Sequence, residues 1–245
     1  MTNQKVSEPI MAEEKQIAEI KKTIDEALPQ IWKVLTRDDA IALIGNKDEF
    51  NAGIRRAFEP YIKTKVARYF TVEWTRFYAE VFGLECDFTS IQVPVSRDGF
   101  GWLTIVDERV TTEAAFLKAA ERFECWKYID CSLDEVVLDS QVPTYARWFR
   151  DTVEADEVHK NKSAYRIRNQ GANSITLRER ILLEIWYEWK NPGQHLDIQN
   201  ITLCAGSLTL GGGVPSCRWD VGEFRVDYFG PGSDRGRLRV REGVS

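Results

Sequence analysis

The sequence lacks the segments that mark membrane and secreted proteins. Its 245 residues contain no run of eighteen or more apolar residues, the length that a membrane-spanning helix needs. The polar start from Met1 to Glu8 has no apolar core of the kind found in signal peptides. The sequence therefore predicts a cytoplasmic protein without a membrane span.

Cysteine and histidine are also scarce. Five scattered cysteines are too few for a disulfide scaffold, and no C-x-x-C pair suggests a zinc site. Neither of the two histidines, His159 and His195, lies in a metal-ligand pattern. No G-x-S-x-G motif occurs, and the glycine run 211–213 is not followed by the lysine of a phosphate-binding loop. The motifs thus predict no catalytic residue, no metal and no cofactor.

The charge balance bears on the kind of partner. A net charge of −5 argues against a dedicated nucleic-acid binder, which would present a basic face. Arginines interleaved with aromatic residues after Gly193 could stack on single-stranded nucleic acid, but nearby acidic residues nearly balance them. Arginine and aromatic side chains also dominate protein-binding hot spots. We therefore expect a protein or surface ligand and no nucleic acid.

The chain divides into three segments by pattern. Apolar residues spaced three or four apart predict helices over much of residues 1–85, ending with a buried helix over 69–82. Residues 86–140 mix short strands with a helix from Thr112 to Phe123, as in a small α+β layer. Three short strands are expected in this segment, at 91–95, 102–106 and 126–129.

The segment 141–245 carries the clearest signals. Thr176 and Glu179 form a capping box, which predicts a helix over 176–190. Strands are expected at Thr144–Phe149, before this helix, and at four places after it. These four strands are Ile201–Cys204, Ser216–Trp219, Glu223–Phe229 and Arg237–Arg241. The whole chain is therefore expected to belong to the α+β class.

Alternation within the last two strands predicts which side chains face outward. In the strand 223–229, Phe224, Val226 and Tyr228 are expected to point one way and Arg225, Asp227 and Phe229 the other. In the last strand, Leu238 and Val240 are expected inward, and the three arginines at 237, 239 and 241 outward.

A helix followed by short strands that end at an arginine-rich strand resembles the C-type-lectin-like fold. The likeness covers the last hundred residues or so and is closest to variable proteins of diversity-generating retroelements. It is carried by 205–207 (Ala-Gly-Ser), Trp219, 225–228 (Arg-Val-Asp-Tyr), Pro231 and 238–241 (Leu-Arg-Val-Arg). The family's G-F-R closing signature is absent, and so is the Glu-Pro-Asn motif of calcium-dependent sugar binders. The whole chain also resembles uncharacterised proteins of small-genome bacteria, a likeness that implies no function.

This resemblance implies a non-enzymatic ligand-binding protein with a diversifiable recognition face. It also implies that the strand 144–149 pairs with the strand 237–241, and that the helical N-terminal region anchors the protein to a partner or to a second copy as a homo-oligomer. The residues expected to bind ligand are Leu208, Thr209, Ser216, Arg218, Asp220, Arg225, Asp227, Phe229, Ser233, Arg235 and Arg237.

Two alternatives remain open at this point. The first is an enzyme on the same scaffold that uses a reactive cysteine, Cys204 or Cys217, although small buried thiols are the simpler interpretation of both residues. The second is a structural or virion-associated interaction protein whose N-terminal helices drive assembly.

Overall fold

The computed structural model describes residues 18–26, 36–39, 41, 69–138 and 143–245. The chain forms two compact units, Met1–Val72 and Glu73–Ser245. In the first unit, residues 18–26 and 37–39 are helical. The other helices expected before residue 69 lie outside the described residues.

Five helices are labelled here in chain order. Helix α1 covers residues 69–77 and continues as a π-helix over Tyr78–Phe82, which ends at Gly83 in the left-handed conformation. The remaining helices are α2 (Thr112–Ala120), α3 (Leu133–Val136), α4 (Ala164–Asn169) and α5 (Leu177–Lys190), with a short 3₁₀ helix at Glu157–His159. None of the helices in the described ranges combines the length and the apolar character that a membrane span requires.

Ten short strands form three sheets within the described residues. The first sheet has the order β1-β4-β10, the second β2-β8-β7-β5-β9, and the third pairs β3 with β6. The strands are β1 (Trp102–Val106), β2 (Cys125–Lys127), β3 (Val137–Leu138), β4 (Tyr145–Phe149), β5 (Ile201–Leu203), β6 (Leu208–Thr209), β7 (Val214–Asp220), β8 (Glu223–Phe229), β9 (Leu238–Arg239) and β10 (Gly243–Val244). The expected α+β class is confirmed, whereas residues 91–95 form no strand.

The sheets join the two segments that the sequence pattern separates. Strands β1, β2 and β3 come from residues 86–140, and their partners β4, β8 and β6 all come from residues 141–245. The division between compact units falls at Val72 and Glu73.

The closing strand differs from the expected one. Strand β4 pairs with β10, in the register Gly243 opposite Phe149, and β9 instead pairs in parallel with β5. The prediction that 144–149 pairs with 237–241 is therefore wrong by a few residues. The prediction that Arg239 and Arg241 point outward is also wrong, because both are buried and Arg241 forms an ion pair with Asp197 at 2.7 Å.

Helix α5 forms the centre of the core. Both halves of its predicted capping box are present, with the Thr176 hydroxyl accepting from the Glu179 amide and the Glu179 carboxylate accepting from the Thr176 amide. Eleven consecutive residues, from Leu177 to Tyr187, are buried, so the helix is enclosed on all sides over this length. Such enclosure is typical of a helix between two layers rather than on the surface.

A two-residue turn connects β7 and β8. Val221 and Gly222 both have positive φ, 50° and 85°, a combination that favours Asn-Gly and strains a β-branched residue. Val221 is 94% exposed, so its side chain gains little from packing.

Replacing Val221 with asparagine should therefore stabilise the protein, by about 1 kcal/mol, because asparagine tolerates the left-handed region better than valine. The midpoint of urea unfolding measures the change. The matched control is Val95→Asn, at an exposed valine whose φ is not positive, where we expect no gain. Equal effects at both positions would contradict strain as the cause.

Candidate outer recognition face

The β7–β8 hairpin has two chemically different faces. On its inner face, Cys217, Phe224 and Val226 are fully buried. On its outer face, Arg218 and Arg225 lie directly opposite each other in the antiparallel register and are about one quarter to one third exposed. Because side chains alternate along a strand, residues on the outer face can change without entering the core on the inner face.

We define the outer face by Trp126, Arg218, Asp220, Arg225 and Asp227. Strand β2 places Trp126 beside Arg225, whose guanidinium carbon lies 4.6 Å from the centre of the indole ring. Asp220 forms ion pairs with Arg218 at 2.7 Å and with Arg225 at 3.6 Å. The face therefore combines a half-exposed tryptophan, two guanidinium groups and two carboxylates, chemistry suited to polar and aromatic groups of another molecule.

A buried ion network anchors the elements beneath this hairpin. Arg180 of α5 donates to Glu184 at 2.7 Å and to Asp197 at 2.9 Å, and Arg241 donates to the second carboxylate oxygen of Asp197 at 2.7 Å. All four side chains are essentially inaccessible to solvent. Burial acts to raise the pKa of Asp197, but the charges of Arg241 and Arg180 outweigh it, so the pKa lies below its usual value.

This network reaches the inner face of the hairpin through His195. The Nδ1 atom of His195 lies 3.0 Å from the Glu184 carboxylate, and its ring stacks on Trp219 of β7 with 3.3 Å between ring centres. The Arg180 guanidinium also lies over the ring of Phe224 in β8. The hairpin is thus fixed from below by charged and aromatic contacts, which supports a rigid outer face.

The structure separates the eleven residues that the sequence singles out for ligand binding. Arg218, Asp220, Arg225 and Asp227 lie together on the outer face. The other seven are not part of this exposed group. Thr209 is buried, and Ser216 lies opposite Asp227 in the register but is also buried. Leu208 and Phe229 pack against a core cluster beside α4, and Arg235 lies over the Phe229 ring. Ser233 is half-buried in the following loop, and Arg237 is exposed and donates to the Gln199 carbonyl.

Trp126 is the outer-face residue that sequence reasoning missed. It lies on a short strand of the segment 86–140, and its partner Arg225 lies in the segment 141–245. Alternation within one strand says nothing about which distant strand lies beside it. A 37% exposed tryptophan in a strand is nevertheless unusual enough to mark the site once the pairing is seen.

Three of the five cysteines, Cys86, Cys204 and Cys217, offer little for covalent chemistry. Cys204 and Cys217 are free thiols with no exposed surface. Cys86 lines a cleft of about 520 Å³, together with Asp107 and Arg109. Burial and the Asp107 carboxylate raise the pKa of the Cys86 thiol to about 11, although Arg109 opposes them. This thiol is therefore protonated at neutral pH and a poor nucleophile.

Comparison of the chain with protein-family models, curated proteins and solved structures found no match.

Proposed function

We propose that this protein is a non-enzymatic ligand-binding protein whose outer face recognises a protein or surface ligand. The observation that carries the proposal is the arrangement of Arg218, Arg225 and Trp126 on a hairpin whose opposite face is buried. Arginine and tryptophan are the side chains most enriched at binding hot spots. A hairpin held rigid from below loses little conformational freedom when it binds, which favours affinity.

The finer part of the proposal is that residues 141–245 form a C-type-lectin-like domain of the variable-protein type. Its support is the antiparallel pairing of β4 with β10, which brings the start and end of the segment together, with α4, α5 and the hairpin between them. In this proposal the codons for outer-face residues are diversified through a retroelement. The separation of outer and inner faces would let such changes accumulate without loss of the fold.

The first experiment is to sequence the DNA that flanks the gene. We expect to find a second, near-identical copy of the segment encoding residues 205–241. This copy should differ mainly at adenines and lie beside a reverse-transcriptase gene. The differing codons should include those for Arg218, Asp220, Arg225 and Asp227 and should spare those for Phe224 and Val226. Absence of a second copy would contradict diversification and leave the outer face as a fixed binding surface.

The same proposal predicts tolerance to substitution. Replacing Arg218, Arg225 and Asp227 together with serine should change the free energy of unfolding by no more than about 1.5 kcal/mol, since single exposed changes cost up to about 0.5 kcal/mol each. Urea unfolding measures this change. The single substitution Val226→Ser, on the inner face of the same strand, is the matched control and should cost more than the triple. The opposite order would refute our assignment of the two faces.

A further inference from the structure

Three potential metal ligands converge away from the outer face. Asp156 precedes the 3₁₀ helix that His159 ends, and residues three apart in such a turn lie one above the other. Glu242 lies just before β10, and its backbone amide donates to the Asp156 carboxylate at 2.8 Å. Ligand atoms from these three side chains all lie within 4.8 Å of one another.

The cluster has coordinating capacity that its protein contacts leave unused. Asp156 is 3% exposed and His159 6% exposed, yet the Asp156 Oδ1 atom has no hydrogen-bond partner in the part of the chain that the structure describes. Such an atom is costly to bury without a partner. It therefore points to a ligand that the protein itself does not supply.

Arg150 is the cation already present at the cluster. It donates to Asp156 Oδ2 and, at 3.2 Å, to Glu242 Oε2. One guanidinium thus faces two carboxylates, and it leaves the Oδ1 atom of Asp156 open. Arg241 does not fill this position, because its guanidinium donates to Asp197 and to the carbonyls of Thr152 and Val153.

We propose that Asp156, His159 and Glu242 bind a divalent transition-metal ion, with zinc as the best fit. One imidazole and two carboxylates match the nitrogen and oxygen ligands that zinc accepts. The His159 Nε2 and Glu242 Oε2 atoms are 3.3 Å apart, and ligands at about 2.0–2.1 Å from a tetrahedral zinc are separated by about 3.3 Å. In this arrangement Arg150 orients both carboxylates through its hydrogen bonds to them, as outer partners of metal ligands commonly do.

The ion would join two distant parts of the chain. Asp156 and His159 belong to the segment between β4 and α4, and Glu242 leads into the strand that pairs with β4. The Asp156 amide already donates to the Val240 carbonyl at 3.1 Å, so the ion would reinforce an existing contact. Zinc should therefore raise the unfolding temperature in a concentration-dependent manner.

The test is a calorimetric titration of the chelator-treated full chain with zinc chloride at pH 7. We expect one equivalent of zinc to bind, and cobalt(II) in its place to give the visible absorption of a tetrahedral site. His159→Ala should weaken zinc binding at least 100-fold. Glu157→Gln, on the same turn but outside the cluster, is the matched control and should change affinity less than twofold.

Zinc binding weaker than millimolar by the wild-type chain would overturn the proposal, and so would equal affinity of wild type and His159→Ala. Should His159→Ala fail to fold, Glu242→Gln tests the same site at a partly exposed position and should weaken binding at least tenfold. X-ray absorption of the wild-type zinc complex gives a test without any variant. A first shell of one imidazole and two carboxylates supports the site, and a shell containing sulfur overturns it.

Discussion

Replacing Asp197 with asparagine should lower the free energy of unfolding by about 3–5 kcal/mol, the cost of removing one partner from a buried ion pair. Asp197 is fully buried and forms ion pairs with Arg241 and Arg180 at the same time. Its φ of 56° is tolerated by asparagine, so the substitution removes the charge with little added backbone strain. Urea unfolding with a two-state fit measures the loss.

Asp220→Asn is the matched control for this prediction. Asp220 also faces two arginines, Arg218 and Arg225, but all three side chains are about one quarter to one third exposed. Solvent-exposed ion pairs contribute about 0.2–1 kcal/mol, so the control should cost no more than that. Similar losses in the two variants would show that burial does not set the strength of the Asp197 network.

The pH dependence gives the same prediction a second measurement. Since the pKa of Asp197 is lower in the folded chain than in the unfolded chain, its contribution is fully present above the unfolded value of about 3.9. The contribution is lost as the pH falls through the folded pKa. The difference in unfolding free energy between wild type and Asp197→Asn should therefore be constant from pH 5 to pH 7 and shrink on further acidification. A difference that grows on acidification would contradict this sign.

Replacing Trp186 with alanine should cost about 3–5 kcal/mol, as large-to-small changes of buried aromatics do. Trp186 of α5 is 4% exposed, stacks on Trp74 with 6.1 Å between ring centres, and donates its indole N–H to Glu73 at 3.1 Å. Alanine is the best helix former, so the cost reports lost packing and not lost helix propensity. The midpoint of urea unfolding measures this cost, provided that the slope of unfolding free energy against urea concentration is the same in both proteins.

Trp126→Ala is the control with the same chemical change at the outer face. This tryptophan is 37% exposed and lies against the Arg225 guanidinium, so we expect a loss below about 1 kcal/mol. If the two tryptophan variants lost equal stability, the distinction between core and recognition face would fail. A near-neutral Trp186→Ala would contradict the packing of α5.

Local signals in the sequence predicted much of the second unit. The capping box at Thr176 and Glu179 predicted the start of α5, and alternation predicted β8 with the bounds that the structure has. Both signals depend on residues within one element, where spacing alone determines which groups meet. The same alternation placed Arg225 and Asp227 on the outer face before any pairing was known.

Long-range contacts account for what the sequence did not reveal. Arg241 was expected outward because it alternates with Leu238 and Val240, and its partner Asp197 is 44 positions away in the chain. Trp126 was overlooked because only the parallel pairing of β2 with β8 brings it beside Arg225. The proposed zinc ligands Asp156 and His159 are three apart, but Glu242 joins them only through the fold. No local periodicity encodes such encounters.

The pairing of β1, β2 and β3 with strands that follow them has a consequence for how the chain acquires its structure. Each of these early strands must wait for a partner synthesised later, and β2 waits for β8, close to the end of the sequence. Folding rates fall as the separation of contacting residues grows. Until β8 emerges, β2 and its neighbours present unpaired backbone that other chains can capture. We expect slow refolding and a dependence on chaperones during synthesis.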